Sequence, residues 1–139
     1  TPEMHQLRSD AIVLFEQGRS EEIIRANVPL AFHPDHATDP VLTGQYLTMV
    51  LEAGPETLIR HNRAVMARPD ARAHLGQIPC PTLVLCGEAD QLTPPEHSRA
   101  IAAAIPGARL AMVPGAGHML TMEQPDRINA LLREWMAAL

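Results

Sequence analysis

Ile78-Pro-Cys-Pro-Thr-Leu-Val-Leu-Cys-Gly-Glu-Ala-Asp-Gln-Leu-Thr-Pro94 is the stretch on which the fold turns. Within it Thr82-Leu-Val-Leu-Cys86 is an uninterrupted run set off by Pro79 and Pro81, the pattern of a parallel strand covered on both faces. Downstream, Thr93-Pro-Pro-Glu96 reads as a capping box with proline in the first turn, which predicts a helix to about Ile105, stopped by Pro106-Gly107. Arg109-Leu-Ala-Met-Val113 then reads as a second strand, and the connection is long enough for a right-handed crossover helix. That makes one βαβ unit. From Pro125, the residues Ile128, Leu131, Leu132, Trp135, Met136 and Leu139 lay out the apolar stripe of a last helix.

Working outward toward the amino terminus, every signal is helical. Leu7, Ala11, Leu14 and Phe15 recur at helix spacing, Gly18 stops the pattern, and Ser20 caps a second helix through Ile23, Ile24 and Val28. A loop containing Pro34 follows. Asp39 is placed as N-cap with Pro40 in the first turn, and Leu42, Tyr46, Met49, Val50 and Ala53 give the next apolar stripe. Gly54-Pro55 ends that helix, and another runs from Glu56 to about Ala67, closing before Arg68-Pro69. The expected fold class is therefore α/β, a helical block followed by β-α-β-α with two parallel strands. Two strands are few for a free-standing parallel sheet, and the chain starts at Thr1 without a methionine, so it reads as the end of a larger fold.

Composition narrows the function classes. The 139 residues are 46% hydrophobic and 19% charged with a net charge of -5, and mean hydropathy is -0.05. These values fit one globular domain and argue against disorder or a membrane-embedded chain. The net charge, with basic residues scattered singly, argues against partners among nucleic acids and anionic membranes. Only 3% of residues are aromatic, so stacking platforms for bases are not expected. Cys80 and Cys86 bracket the first strand. Six residues at ~3.3 Å each place them roughly 20 Å apart, too far for a disulfide, which fits a reducing, cytoplasmic compartment.

Two loops follow the two strands, Gly87-Glu-Ala-Asp90 and Gly115-Ala-Gly-His118-Met119. In open α/β sheets the functional crevice lies beyond the carboxyl ends of the strands, where an Asp and a His from neighbouring strands can meet. A carboxylate accepting from imidazole Nδ1-H would fix the tautomer and leave Nε2 free as a general base. The bland alternatives are a turn carboxylate at Asp90 and an exposed loop histidine at His118. Glu123 and Asp126 are the next acids to test, though they stand well past the loop. His33-Pro-Asp-His36 with Asp39 reads as a polar loop rather than a metal site, because Pro34 breaks any continuous helical face and no distal ligands are evident. No metal and no cofactor is expected. Met119 and Met122 directly follow His118 and are placed as substrate contacts, whereas Met49 and Met66 read as core.

The two segments Ile78–Pro94 and Ile105–His118 together resemble the C-terminal half of the α/β-hydrolase family. That family carries its triad acid in a strand-G-x-x-D-x-x-x-P segment and its triad histidine in a G-x-G-H or similar loop before the last helix. The resemblance implies Asp90 as triad acid, His118 as triad base, residues 1–77 as a helical cap or lid segment and residues 78–139 as the C-terminal βαβα part of the core. It implies hydrolysis of a small ester, lactone or similar acyl substrate without a cofactor. A cofactor-free haloperoxidase or a carbon-carbon hydrolase would share the fold and triad. The family's G-x-S-x-G elbow has no counterpart here: Ser9, Ser20 and Ser98 all stand in helical contexts without flanking glycines. The chain alone is thus expected to be inactive. The alternative reading is a non-catalytic binding or assembly module, and in either case the open sheet leads us to expect a homo-oligomer.

Overall fold

The computed structural model describes residues 2–139, so Thr1 lies outside the described residues. Eight α-helices and two strands follow in the order α1 (Pro2–Glu16), α2 (Ser20–Ala31), α3 (Pro34–Ala37), α4 (Pro40–Glu52), α5 (Pro55–Ala67), β1 (Leu83–Gly87), α6 (Pro95–Ala104), β2 (Arg109–Val113), α7 (Leu120–Glu123) and α8 (Pro125–Ala137). A 3-10 turn, Arg72–Gln77, precedes β1. The chain divides into two compact units. One comprises the chain through Val28 with Thr43–Pro69, and the other comprises Pro29–Leu42 with Asp70–Leu139.

In the first unit α1 packs on α5, and Phe15, Ile24, Val28 and Leu47 are buried. Arg8 donates to the Asn62 side-chain oxygen at 2.9 Å and Arg63 pairs with Glu16 at 3.3 Å, tying α1 to α5 along their polar edges. Gly18 takes a positive φ of 76°, which lets the chain leave α1 and enter α2 within a few residues.

The second unit holds the sheet. β1 and β2 run parallel in the register Leu83↔Arg109 to Gly87↔Val113, and α6 crosses between them over both strands. Its core is Val113, Ala116, Ile128 and Leu131, with Leu85, Ala111, Leu120 and Leu132 packed against it. The stripe on α8 expected from periodicity thus supplies Ile128 and Leu131 to the cover of the sheet. Ala31 and Phe32, at the end of α2 and just beyond it, are fully buried in this unit. That is why Pro29–Leu42 groups with the sheet although it lies far from it in sequence.

Two local expectations are corrected. Pro34 does not sit in a loop: it opens α3, where a proline costs no hydrogen bond, and the His33 ring accepts from the Asp35 backbone N-H at 3.3 Å. Thr93 does not cap α6. Pro94 holds the N-cap position and has no side-chain acceptor to offer, while the Thr93 hydroxyl donates to Asp90 instead. Between His118 and α8 the chain forms the extra turn α7. By contrast, Asp39 does cap α4, its Oδ1 accepting from Val41 N-H at 2.8 Å and Leu42 N-H at 3.2 Å.

Candidate active site

The loops after β1 and β2 stay in contact once the strands end. Glu88 N-H donates to Val113 O at 3.1 Å and Ala89 N-H to Ala116 O at 3.0 Å, so the pairing continues past Gly87 into the second loop. The approach is close enough that a Cβ on Gly87 would collide with the carbonyl oxygens of Gly117 and Ala116. Glycine is required here by contact, and the contact delivers Asp90 to His118.

Asp90 is buried and fully engaged. Its Oδ1 accepts from the backbone N-H of Leu92 at 3.0 Å and of Thr93 at 2.8 Å, and its Oδ2 accepts from the Thr93 hydroxyl at 2.8 Å. His118 Nδ1 lies 3.0 Å from Oδ2 and 3.2 Å from Oδ1. Both carboxylate oxygens are acceptors, so the proton belongs on Nδ1 and the ring donates. The Thr93 oxygen, already donating to Asp90, also lies 3.2 Å from Nδ1. The carboxylate side chain is 5% exposed while the imidazole is 39% exposed, so the acid is shielded and the ring reaches solvent. His118 Nε2 has no partner among the described residues.

Burial is the largest single influence on the Asp90 carboxyl and pushes its pKa up. The Thr93 backbone N-H, the His118 ring and the Thr93 hydroxyl together outweigh it, and the group titrates below its ordinary value. The carboxylate is therefore held ionised, the state that orients a neutral imidazole and stabilises an imidazolium.

The other candidate residues are placed as follows. Met119 and Met122 are half-buried; Met119 N-H donates to Ala31 O at 3.0 Å, and its carbonyl accepts from Met122 N-H at 2.8 Å. His33 and His36 have ring centroids 5.9 Å apart, and no cluster of three or more His, Cys, Asp or Glu suited to a metal occurs among the described residues. Among the described residues, no helix is long and apolar enough to cross a membrane. Sequence reasoning missed Thr93, whose hydroxyl it assigned to the helix start. The available signal was its position three residues after Asp90 with the chain turning between them.

Comparison with known proteins decides the family. The model for the alpha/beta hydrolase family matches residues 6–131. This chain belongs to the alpha/beta hydrolase family. RutD of Serratia proteamaculans is 36% identical over 83 residues, which are 60% of this chain and 31% of that protein. A thermophilic esterase from Thermogutta terrifontis superposes with a TM-score of 0.92 at 30% identity, covering 99% of this chain and 51% of the esterase. The enol-lactonase from Burkholderia xenovorans shares the fold with a TM-score of 0.86 at 22% identity, over 95% of this chain and 50% of that one. The chain spans about a third of the curated relative and about half of each of these two hydrolases, as a C-terminal portion of the family fold does.

Proposed function

We propose that Asp90 and His118 are the acid and base of a hydrolytic triad whose nucleophile is not among the serines of this chain. Ser9, Ser20 and Ser98 lie in α1, α2 and α6 rather than in a tight strand-to-helix turn. In this reading His118 Nε2 takes the proton of the nucleophile and later that of a water, returning it to the leaving group each time. Asp90 holds the ring in the Nδ1-H tautomer and stabilises the imidazolium. The observation that carries the reading is the 3.0 Å contact from a shielded carboxylate to Nδ1 of a ring whose other nitrogen is free.

The substrate class we assign is a small ester or lactone. Its support is chemical likeness to neighbours described as an esterase and an enol-lactonase. The helices before β1 take the part of the family's cap, and Met119 and Met122, which follow the base, supply adaptable apolar contact to the acyl substrate. No cofactor enters this scheme. The 139 residues alone would turn over no ester, because the nucleophile and its oxyanion donors supply most of the acceleration in acyl transfer.

The tautomer tests the reading on the chain itself. Long-range proton-nitrogen NMR at a pH of about 8.5, where imidazole is neutral, is expected to show His118 protonated at Nδ1 and bare at Nε2. An Asp90→Asn variant should shift the balance toward Nε2-H. A wild-type ring protonated at Nε2 would contradict the assignment of His118 as base.

A further inference from the structure

Glu123 carries a second buried carboxylate that the acid-base scheme does not use. Its side chain is 0% exposed. One oxygen, Oε1, accepts from the backbone N-H of Gly117, the residue immediately before His118, at 2.8 Å. The other, Oε2, accepts from the His33 backbone N-H at 2.7 Å and lies 3.0 Å from His36 Nδ1. A single carboxylate thus joins the base-bearing loop to a segment some ninety residues earlier in the chain. Two of the three partners, His33 and His36, belong to α3 and its N-cap, whereas the Gly117 N-H comes from the loop after β2, so capping within one element does not account for the arrangement.

The backbone geometry shows what this carboxylate holds together. A Cβ on Gly117 would lie 2.7 Å from the Phe32 carbonyl carbon and 2.8 Å from the His33 nitrogen, so the two backbones are in direct contact. Two N-H groups, of Gly117 and His33, are brought side by side in a buried place and need an acceptor between them. Glu123 supplies it, one oxygen to each. Met119 N-H to Ala31 O, at 3.0 Å, closes the same seam on the far side of His118. His118 is therefore bracketed, with the residue before it held through Glu123 and the residue after it held by Ala31.

We infer that Glu123 is a positioning residue for the base: a two-oxygen clip that fixes the His118 peptide so that Nδ1 meets Asp90. The inference rests on His118 being the base, yet its test reads the Asp90–His118 contact and needs no turnover. Failure of the clip and failure of the proposed activity are thus separate outcomes.

The test compares Glu123→Ala, Glu123→Gln and Ile128→Ala in the 139-residue chain. Ile128→Ala opens the adjacent core without touching the clip. Each protein is monitored for thermal unfolding, for the low-field proton resonance of the Nδ1-H shared with Asp90, and for the His118 nitrogen shifts. Ile128→Ala should lower the unfolding temperature and leave the His118 signals in place. Glu123→Ala should lose the low-field resonance and bring the two ring nitrogens toward the averaged shifts of a free imidazole. Glu123→Gln keeps one acceptor oxygen but turns an NH2 toward the other N-H, and it should retain the fold with the low-field resonance weakened. It also keeps the question answerable if the alanine variant does not fold. An unchanged His118 signature in either folded Glu123 variant, with stability lowered as in Ile128→Ala, would show a merely structural carboxylate and overturn the inference.

Discussion

Asp90 Oδ2 and His118 Nδ1 stand 3.0 Å apart although 28 residues separate them in sequence. The distance is a property of the βαβ unit. Parallel strands in register end at the same edge, and the backbone pairing that runs on from Gly87 to Ala116 holds the two loops together beyond it. The acid is placed by its own turn and the base by a seam with a remote segment, and the following expectations separate these contributions.

Thr93 is expected to matter through its hydroxyl. Thr93→Val keeps the shape but removes a donor from a buried carboxylate, which should lower stability by about 1–2 kcal/mol. Thr93→Ser, which keeps the O-H, should stay within about 0.5 kcal/mol of the wild type. Urea unfolding of the two variants distinguishes a hydrogen-bond loss from a packing loss. A larger loss in Thr93→Ser than in Thr93→Val would show that the methyl group, not the hydroxyl, is what the site needs.

Acid should act through Asp90. Its folded-state pKa lies below that of an unfolded carboxyl, so its stabilising contribution is complete above the ordinary range, near about 3.9, and fades as pH falls through the folded value. Between roughly pH 5 and pH 2 the wild type should therefore lose more stability than Asp90→Asn. Denaturant midpoints measured across that window give the slopes directly. Parallel curves would mean that the carboxylate is not preferentially stabilised in the folded chain.

Gly117→Ala should be among the more damaging single-methyl additions. The new Cβ meets backbone atoms of Phe32 and His33, which do not yield as a side chain would, and a cost of about 1–3 kcal/mol is expected. Gly44→Ala is the internal contrast. Its Cβ meets nothing within 4 Å inside α4, where alanine is the better helix former, so it should be neutral or stabilising. Thermal melts of the two variants should move in opposite directions or differ by several degrees.

Self-association of the chain is expected at tens of micromolar. Among the described residues the sheet has two strands, each with one unpaired edge, and Leu92, Ile101, Met136 and Leu139 of the same unit are exposed. Unpaired strand edges beside apolar side chains are templates for association, most simply a two-fold dimer. Light scattering coupled to gel filtration decides it. A monodisperse 15.2 kDa species would contradict the expectation.

Much of the unit that carries the site was legible in the residues. Both strands declare themselves by short apolar runs between proline and glycine signals, and the glycine-bearing loops after them point to Asp90 and His118. What stayed hidden has a common physical cause. Thr93 offers one hydroxyl to two competing local uses, a helix cap or the Asp90 turn, and only the folded turn decides between them. Pro34 punctuates a loop and starts a helix with equal ease. Glu123 is engaged with partners 87 and 90 residues away in sequence, a relationship that no local spacing encodes. The placement of Pro29–Leu42 with the sheet is hidden for the same reason, since Ala31 and Phe32 find their neighbours only across the chain.

The most direct measurement is turnover in a full-length hydrolase assembled from this chain and the part of the Thermogutta terrifontis esterase that it does not cover. A folded chimera is expected to hydrolyse short p-nitrophenyl esters. His118→Ala should lower kcat by about 10³-fold or more, and Asp90→Asn should lower it severely with little change in the unfolding temperature. A folded chimera without activity, or a His118→Ala variant that keeps more than roughly a tenth of its kcat, would contradict the assignment of these two residues as acid and base.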